Sequence, residues 1–328
     1  MLSPMMIMSL FILILSTLSV IMSTNWPILW LMMELNMMMF IPFLNFKKMN
    51  IESEGSVKYF LCQSMGSALL IYSTISLNNN YYFYFFMMMA LCMKLGSFPC
   101  YFWFISVMKA SNWISCSMLM TWQKIAPLYV LVTMMDTYNS PMYQIALINM
   151  LVGGMFGMSQ TDMRSLLAYS SVAHLGWMFM ISFFMYKFYT LMYFILYLML
   201  IAPMCMILMT MNPKSMNEAF NMNNMNPTTK FIFMVMILSL AGLPPMSGFM
   251  LKMIALYYVS YVEMNTAIVM CVISMMSLYM YLMMSLSSLF WFKSHMSQKS
   301  KLLSMKFLVM SMFMTPFMVI YYALTFLN

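Results

Sequence analysis

Charge is what this sequence lacks first: 7% of its 328 residues are Asp, Glu, Lys or Arg, where a soluble domain carries about 25%. With 64% of the residues hydrophobic, such a chain cannot cover a surface that faces water. Ligand sets are missing too. The six cysteines, Cys62, Cys92, Cys100, Cys116, Cys205 and Cys271, are dispersed, with no C-x-x-C and no closely spaced Cys/His group. That argues against a disulfide framework, a zinc site or an iron–sulfur cluster. No glycine-rich dinucleotide fingerprint is present, and no linker is long enough to separate domains. The expectation is a single membrane domain over 1–328, with no soluble catalytic part and neither cofactor nor metal on the chain. The N-terminus lacks the basic n-region of a signal peptide and the Arg-rich pattern of a transit peptide, so insertion through the first span is expected.

What is there instead is apolar length. Runs over 3–23, 26–44, 56–77, 81–104, 113–134, 142–158, 164–184, 189–211, 229–258, 264–290 and 305–325 are each long enough to be read as one crossing of a bilayer core. Every backbone group must be satisfied inside lipid, so the runs mean helices. The expected fold class is an all-α polytopic membrane protein with about eleven transmembrane helices. The 56 methionines read as adaptable apolar filler on those helices.

Fifteen basic against seven acidic residues give a net charge of +8. In a membrane chain, basic residues first report loop orientation, and no nucleic-acid partner is expected. With eleven spans, Lys47, Lys48, Lys58, Lys109, Arg164, Lys214, Lys230, Lys293, Lys299, Lys301 and Lys306 fall on the side of the N-terminus, against Lys187 alone on the other. The bias puts the N-terminus in the cytosol-equivalent compartment and the C-terminus opposite. Trp26, Trp103, Trp113 and Trp291 lie near span ends and read as interfacial anchors. The small residues of Gly153-Gly154-Met155-Phe156-Gly157 read as a close helix contact, with a hinge as the alternative. Thr161 or Asp162 reads as a helix N-cap, and Asp162 and Arg164 as structural.

Three lysines remain inside spans, with one carboxylate and one histidine. A charge at the centre of a membrane helix costs at least about 2.5–3.5 kcal/mol, so each needs a return. Lys124, in Thr121-Trp122-Gln123-Lys124-Ile125-Ala126-Pro127, lies about ten residues from either end of its span, roughly 15 Å at 1.5 Å per residue, too deep for its stem to snorkel. A structural ion pair and a proton or ion relay stay open for it; desolvation disfavours the charged form of a lysine, which lets it exist in both protonation states. Glu34 and Lys94 lie at similar depths on separate spans. They form either a static salt bridge that offsets two desolvation costs or a switchable pair, in which approach of Glu34 holds the proton on Lys94 and withdrawal frees it. A thousandfold change in proton affinity is about 4 kcal/mol, comparable with the roughly 3.5–4.6 kcal/mol needed to move one charge through 150–200 mV. His174 either bridges Lys124 and Lys252, since imidazole titrates near neutrality, or is a hydrogen-bonded core histidine.

Lys94 and Lys252 also flank the two most interrupted spans, at Leu95-Gly96-Ser97-Phe98-Pro99 and Leu243-Pro244-Pro245-Met246-Ser247-Gly248. Paired Pro/Gly interruptions at corresponding places point to a transport site on broken helices. Each is fourth in a group of five, which gives two inverted five-helix repeats, 1–138 and 139–292, with an extra C-terminal helix at 305–325.

The segment Gln160-Thr161-Asp162-Met163-Arg164-Ser165-Leu166-Leu167-Ala168-Tyr169-Ser170-Ser171-Val172-Ala173-His174-Leu175-Gly176 resembles the signature of the antiporter-like subunits of respiratory complex I and related cation/proton antiporters. The segments 121–127 and 243–249, with lysine at 252 where a sister branch tends to have glutamate, look like an animal mitochondrial branch. The likeness runs from the first span to the last. Bacterial relatives have fourteen spans, so eleven fits an animal form without the first three. By resemblance, Glu34 and Lys94 are the modulating pair, Lys124 the central proton carrier and Lys252 the terminal one toward a neighbouring subunit. The implied activity is proton translocation coupled to NADH:ubiquinone reduction. Flavin, iron–sulfur clusters, NADH and ubiquinone would be held by partner subunits. Expected partners are other complex I subunits, including neighbouring antiporter-like and small membrane subunits, and the lipid bilayer. The implied location is the mitochondrial inner membrane, multi-pass, with a matrix N-terminus and an intermembrane-space C-terminus. A free-standing cation/proton antiporter and a purely scaffolding subunit are the alternatives.

Overall fold

A computed structural model of the chain describes residues 4–45, 49–75, 80–134, 140–184, 187–211, 213, 227–244 and 246–292. Among the described residues there are thirteen helices and no strand. They are α1 (Pro4–Met22), α2 (Trp26–Leu44), α3 (Asn50–Ile75), α4 (Asn80–Leu95), α5 (Phe102–Ala110), α6 (Trp113–Met120), α7 (Trp122–Met134), α8 (Ser140–Met158), α9 (Met163–Phe183), α10 (Lys187–Met211), α11 (Pro227–Ala241), α12 (Ser247–Val262) and α13 (Met264–Phe292). The apolar runs explain most of this order. Seven of them are single helices, and three are pairs of half-helices: α4 with α5, α6 with α7, and α11 with α12. The run at 305–325 lies outside the described residues.

By length and composition α1, α2, α9, α10 and α13 can each cross a membrane. α3 begins at Asn50, before its apolar run, because Glu52 sits in the first turn, where a carboxylate favours the positive end of the helix dipole. Glu54 and Lys58 then pair at 2.5 Å on its exposed face.

The helices sort by burial. In α9, residues 165–182 are buried without a gap, whereas much of α1, α2 and α13 faces outward with exposed Met, Ile and Phe, as a bilayer-facing layer should. The serines of α9 survive that burial by bonding their own helix: Ser170, Ser171 and Ser182 donate to carbonyls three residues back at 2.8, 2.7 and 2.9 Å. Among the described helices α8 packs most extensively on α9, and glycine allows it. A Cβ on Gly153 would stand 2.7 Å from the Ala173 Cβ and the Tyr169 carbonyl, and one on Gly176 would stand 2.5 Å from the Met150 Cγ. α8 runs unbroken through Gly153, Gly154 and Gly157, so the small-residue stretch is a contact and not a hinge.

Two tryptophans depart from the anchor reading. Trp103 and Trp113 are buried inside the bundle: the Trp103 indole donates to the Met93 carbonyl at 3.0 Å, and Trp113 lies 5.3 Å beneath the Arg164 guanidinium. An interrupted helix has free carbonyls, and the Trp103 indole N–H supplies a donor that lipid does not, whereas the Trp113 N–H has no hydrogen-bond partner among the described residues and its ring serves the guanidinium. Trp26 is half-buried, edge-on to Phe83 at 5.8 Å, and the Trp291 side chain is outside the described set. Asp162 is the N-cap of α9, through its backbone only. Its carboxylate instead sits 3.9 Å from Lys109, and Arg164 donates to the Lys109 carbonyl at 3.2 Å, which ties the head of α9 to the end of α5.

Candidate functional site

Two of the three interruptions are built alike. α4 stops at Gly96, whose φ is 70°, and α11 stops at Gly242, whose φ is 81°. At the first, the Ser97 N–H returns to Cys92 O at 3.0 Å and the Gly96 N–H to Met93 O at 3.3 Å; at the second, Leu243 returns to Leu238 O at 3.5 Å and Gly242 to Ser239 O at 3.1 Å. Both are Schellman caps, which need the left-handed conformation that glycine adopts without a Cβ penalty.

A helix that ends inside a bundle leaves carbonyls and a partial negative charge that must be met there. At α11 a site lysine meets them. The Lys252 Nζ donates to Ala241 O at 2.7 Å and to Ser277 Oγ at 3.4 Å, and its stem lies across Gly242, where a Cβ would stand 3.0 Å from the lysine Cδ. The sequence puts Lys94 before its break and Lys252 after, yet the side chain of Lys252 folds back to the break itself. At α4 the carbonyls take Gln63 Nε2, 3.1 Å from Lys94 O, and the Trp103 indole. The backbone beyond is held by Asn149, whose Oδ1 accepts from the Phe98 N–H at 2.6 Å.

Glu34 and Lys94 are within electrostatic reach of each other but do not form an ion pair; among the described residues, the pairs are those of Lys58 and Lys109. The static salt bridge is therefore not formed, and Glu34 Oε1 is buried with no hydrogen-bond partner. A polar strip leads away from it. Gln123 Nε2 donates to Asn36 Oδ1 at 3.1 Å, and the Tyr59 hydroxyl donates to Gln123 Oε1 at 3.3 Å, which joins α2, α3 and α7 next to Lys124.

Lys124 does not sit in the middle of a continuous helix, as its place in the apolar run suggests. The helix breaks at Thr121, with φ −111° and ψ −76°, and Lys124 stands in the first turn of α7. The carbonyl of Gln123 cannot find an N–H four residues on, because that residue is Pro127. Lys124 is 2% exposed. Its Nζ has no hydrogen-bond partner and faces the rings of Phe104 at 4.9 Å and Tyr197 at 5.9 Å. Among the described residues it forms no ion pair, and its ammonium stays inside and does not snorkel.

His174 is buried, with Nδ1 2.9 Å from the Tyr193 hydroxyl and its ring 5.1 Å from that of Tyr197. It feels the charges of both Lys252 and Lys124. The structure thus groups Glu34 with Lys94, and Lys124 with His174 and Lys252. Among the described residues no group of three His, Cys, Asp or Glu could hold a metal ion. Sequence reasoning passed over Asn36, Tyr59, Gln63, Gln123 and Asn149. An amide or phenol inside an apolar run was the signal available for them.

Broken helices with lysines at or near their breaks define a class of membrane transport protein. A family model described as NADH:quinone oxidoreductase/Mrp antiporter, TM, matches residues 74–277, which include every break and all three buried lysines. NADH-ubiquinone oxidoreductase chain 2 of Lumbricus terrestris is 37% identical over 293 residues, covering 88% of each chain. That of Aedes aegypti is 40% identical over 296 residues, covering 84% of each. A chain of respiratory complex I from Thermus thermophilus shares the fold at a TM-score of 0.78 and 20% identity, over 87% of this chain and 70% of that one. The chain belongs to the NADH-ubiquinone oxidoreductase chain 2 family.

Proposed function

We propose that the chain is the antiporter-like membrane subunit of a respiratory NADH:ubiquinone oxidoreductase in the mitochondrial inner membrane, and that it conducts protons along Lys94, Lys124 and Lys252. Glu34 modulates Lys94, and His174 lies on the path from Lys124 to Lys252. The observation that carries the reading is Lys124: among the described residues its buried ammonium has no hydrogen bond and no counter-ion, and the two aromatic faces beside it return less than its burial costs. A group kept on those terms is kept for its proton. Glu34, equally unpaired at Oε1, suits a carboxylate that approaches and withdraws.

Redox chemistry belongs to partner subunits that hold NADH, flavin, iron–sulfur clusters and ubiquinone. The architecture that goes with this reading has eleven spans, as inverted repeats over 1–138 and 139–292 and an added helix over 305–325. The like-built caps at Gly96 and Gly242, each in the fourth span of its repeat, support it. The N-terminus faces the matrix and the C-terminus the intermembrane space, on the strength of the basic-loop bias.

Two outcomes test the assignment. Affinity isolation of the chain from mild-detergent membranes should bring flavin and iron–sulfur subunits with it, while the chain stripped of them should show no NADH oxidation. Isolation as a lone transporter would favour the free-standing antiporter. For orientation, a thiol reagent should label Ser297→Cys from the matrix side of sealed mitoplasts only, and labelling from the opposite face alone would reverse the topology and the span count.

A further inference from the structure

Between Lys124 and Lys252 stand three tyrosines that neither lysine's own environment explains. Tyr193 and Tyr197 lie one turn apart on α10, and Tyr281 faces them from α13; all three are at most 2% exposed. Burying a phenol in a membrane bundle is costly unless its hydroxyl is bonded, and phenylalanine would fill the same volume. Tyr193 meets His174. The hydroxyls of Tyr197 and Tyr281 have no hydrogen bond of good geometry; they look toward Ser171 and Ser170, whose hydroxyl protons are already donated to Ala168 O and Leu167 O.

The groups succeed one another from the first lysine toward the second. Lys124 faces the Tyr197 ring, and Tyr197 is beside His174. Tyr281 is within electrostatic reach of both Tyr193 and Tyr197. Tyr281 also stands one turn beyond Ser277 on α13, the serine that accepts from Lys252.

We infer that Tyr197, Tyr193 and Tyr281, with His174, form the proton-transfer link between Lys124 and Lys252. The inference rests on the proton-conducting reading and assigns its internal connection. A phenol is both donor and acceptor and stays neutral near pH 7. It can take a proton on a lone pair as its own proton passes to the next oxygen or nitrogen, so that no charge is left on it. The proton that leaves the Lys124 ammonium arrives on neutral Lys252, and each hydroxyl ends with the one proton it began with. The two hydroxyls unpaired within the protein are the places where buried water completes the chain, since a buried polar group takes its partners from water when the protein offers none.

The test uses the assembled complex in proteoliposomes. Tyr197→Phe and Tyr281→Phe each remove one oxygen and keep the ring. Both should assemble by native gel, lower proton uptake per NADH oxidised by about tenfold, less than the roughly hundredfold or more usual for loss of a proton-transfer group because buried water can bridge part of the gap, and raise the solvent deuterium isotope effect. Tyr72→Phe, on the exposed face of α3, should change neither. Full uptake and an unchanged isotope effect in both phenylalanine variants, with uptake lost in Lys124→Ala, would overturn the link and leave the lysine reading standing. Uptake retained in Lys124→Ala would instead remove the reading on which the link rests. A high-resolution map of the unmodified complex decides independently of any variant: ordered water within hydrogen-bond distance of the Tyr197 and Tyr281 hydroxyls supports the link, and apolar contact on all sides of both rejects it.

Discussion

Lys124→Ala is expected to stop proton uptake in the fully assembled, reconstituted complex, with a drop of about a hundredfold or more in the step it serves. In tightly coupled membranes, most NADH:ubiquinone turnover should fall with it. The lysine is the titratable group at the break between α6 and α7, and without it a proton has no resting place in a low-dielectric interior. Lys124→Arg should fail as well, because a guanidinium keeps its proton. Stability separates this account from a structural one. The Lys124 ammonium is buried with no hydrogen bond, over two aromatic faces, so replacing it removes a desolvation cost of at least about 2.5–3.5 kcal/mol and loses only the cation–π attraction, about 2 kcal/mol when desolvated. Lys124→Met, close in length and apolar, should therefore give a complex at least as heat-stable as the original and unable to pump. Proton-to-electron ratios, native gels and thermal inactivation on the same preparation check all three variants. Normal ratios in assembled Lys124→Ala enzyme would leave Lys124 without a relay role.

Lys124 also shows where the sequence was legible and where it was not. That it is buried followed from counting residues to the ends of an apolar run, and that the described runs are helical followed from their length and apolar character. That the run is broken at Thr121 did not. Pro127 was visible, but a proline constrains the turn before it without saying where the chain yields, and the break falls six residues upstream. At 95–99 and 243–248 the interruptions were legible because glycine close to proline has few other uses within an apolar span, although the second helix stops at Gly242, one residue before the stretch that gave it away. What each interruption needs from its neighbours depends on three-dimensional proximity: Gln63 and Trp103 serve the carbonyls of α4 from outside that helix, and Trp103, read alone at a span end, resembles an interfacial anchor. The charge pattern around Glu34 and Lys94 indicated a pair. Only coordinates separate an ion pair from two charges that merely sense each other.

Lys252 should behave unlike Lys124, because it has two functions at one break. Its Nζ is a candidate proton carrier and also the donor that meets Ala241 O at 2.7 Å, at the negative end of α11. Lys252→Met should thus lose proton uptake and also stability: a charge-assisted hydrogen bond disappears and a buried carbonyl is left unmet, which costs about 1–3 kcal/mol. The expected result is poorer assembly or a lower inactivation temperature, opposite in sign to Lys124→Met. Lys252→Gln tests the division, since its amide N–H can donate to the same carbonyl but cannot carry a proton between states; it should recover assembly without recovering uptake. Gly242→Ala reaches the same lysine from the other side. It forces a Cβ into the left-handed region at φ 81°, about 1–2 kcal/mol, and to within 3.0–3.2 Å of the Lys252 stem. The lysine stem must then give way by a few tenths of an ångström, which disturbs its bond to the Ala241 carbonyl, and uptake should fall although every titratable residue is still present. Full pumping in Gly242→Ala with the complex assembled would mean that the position of Lys252 at the break is incidental to its part in proton transfer.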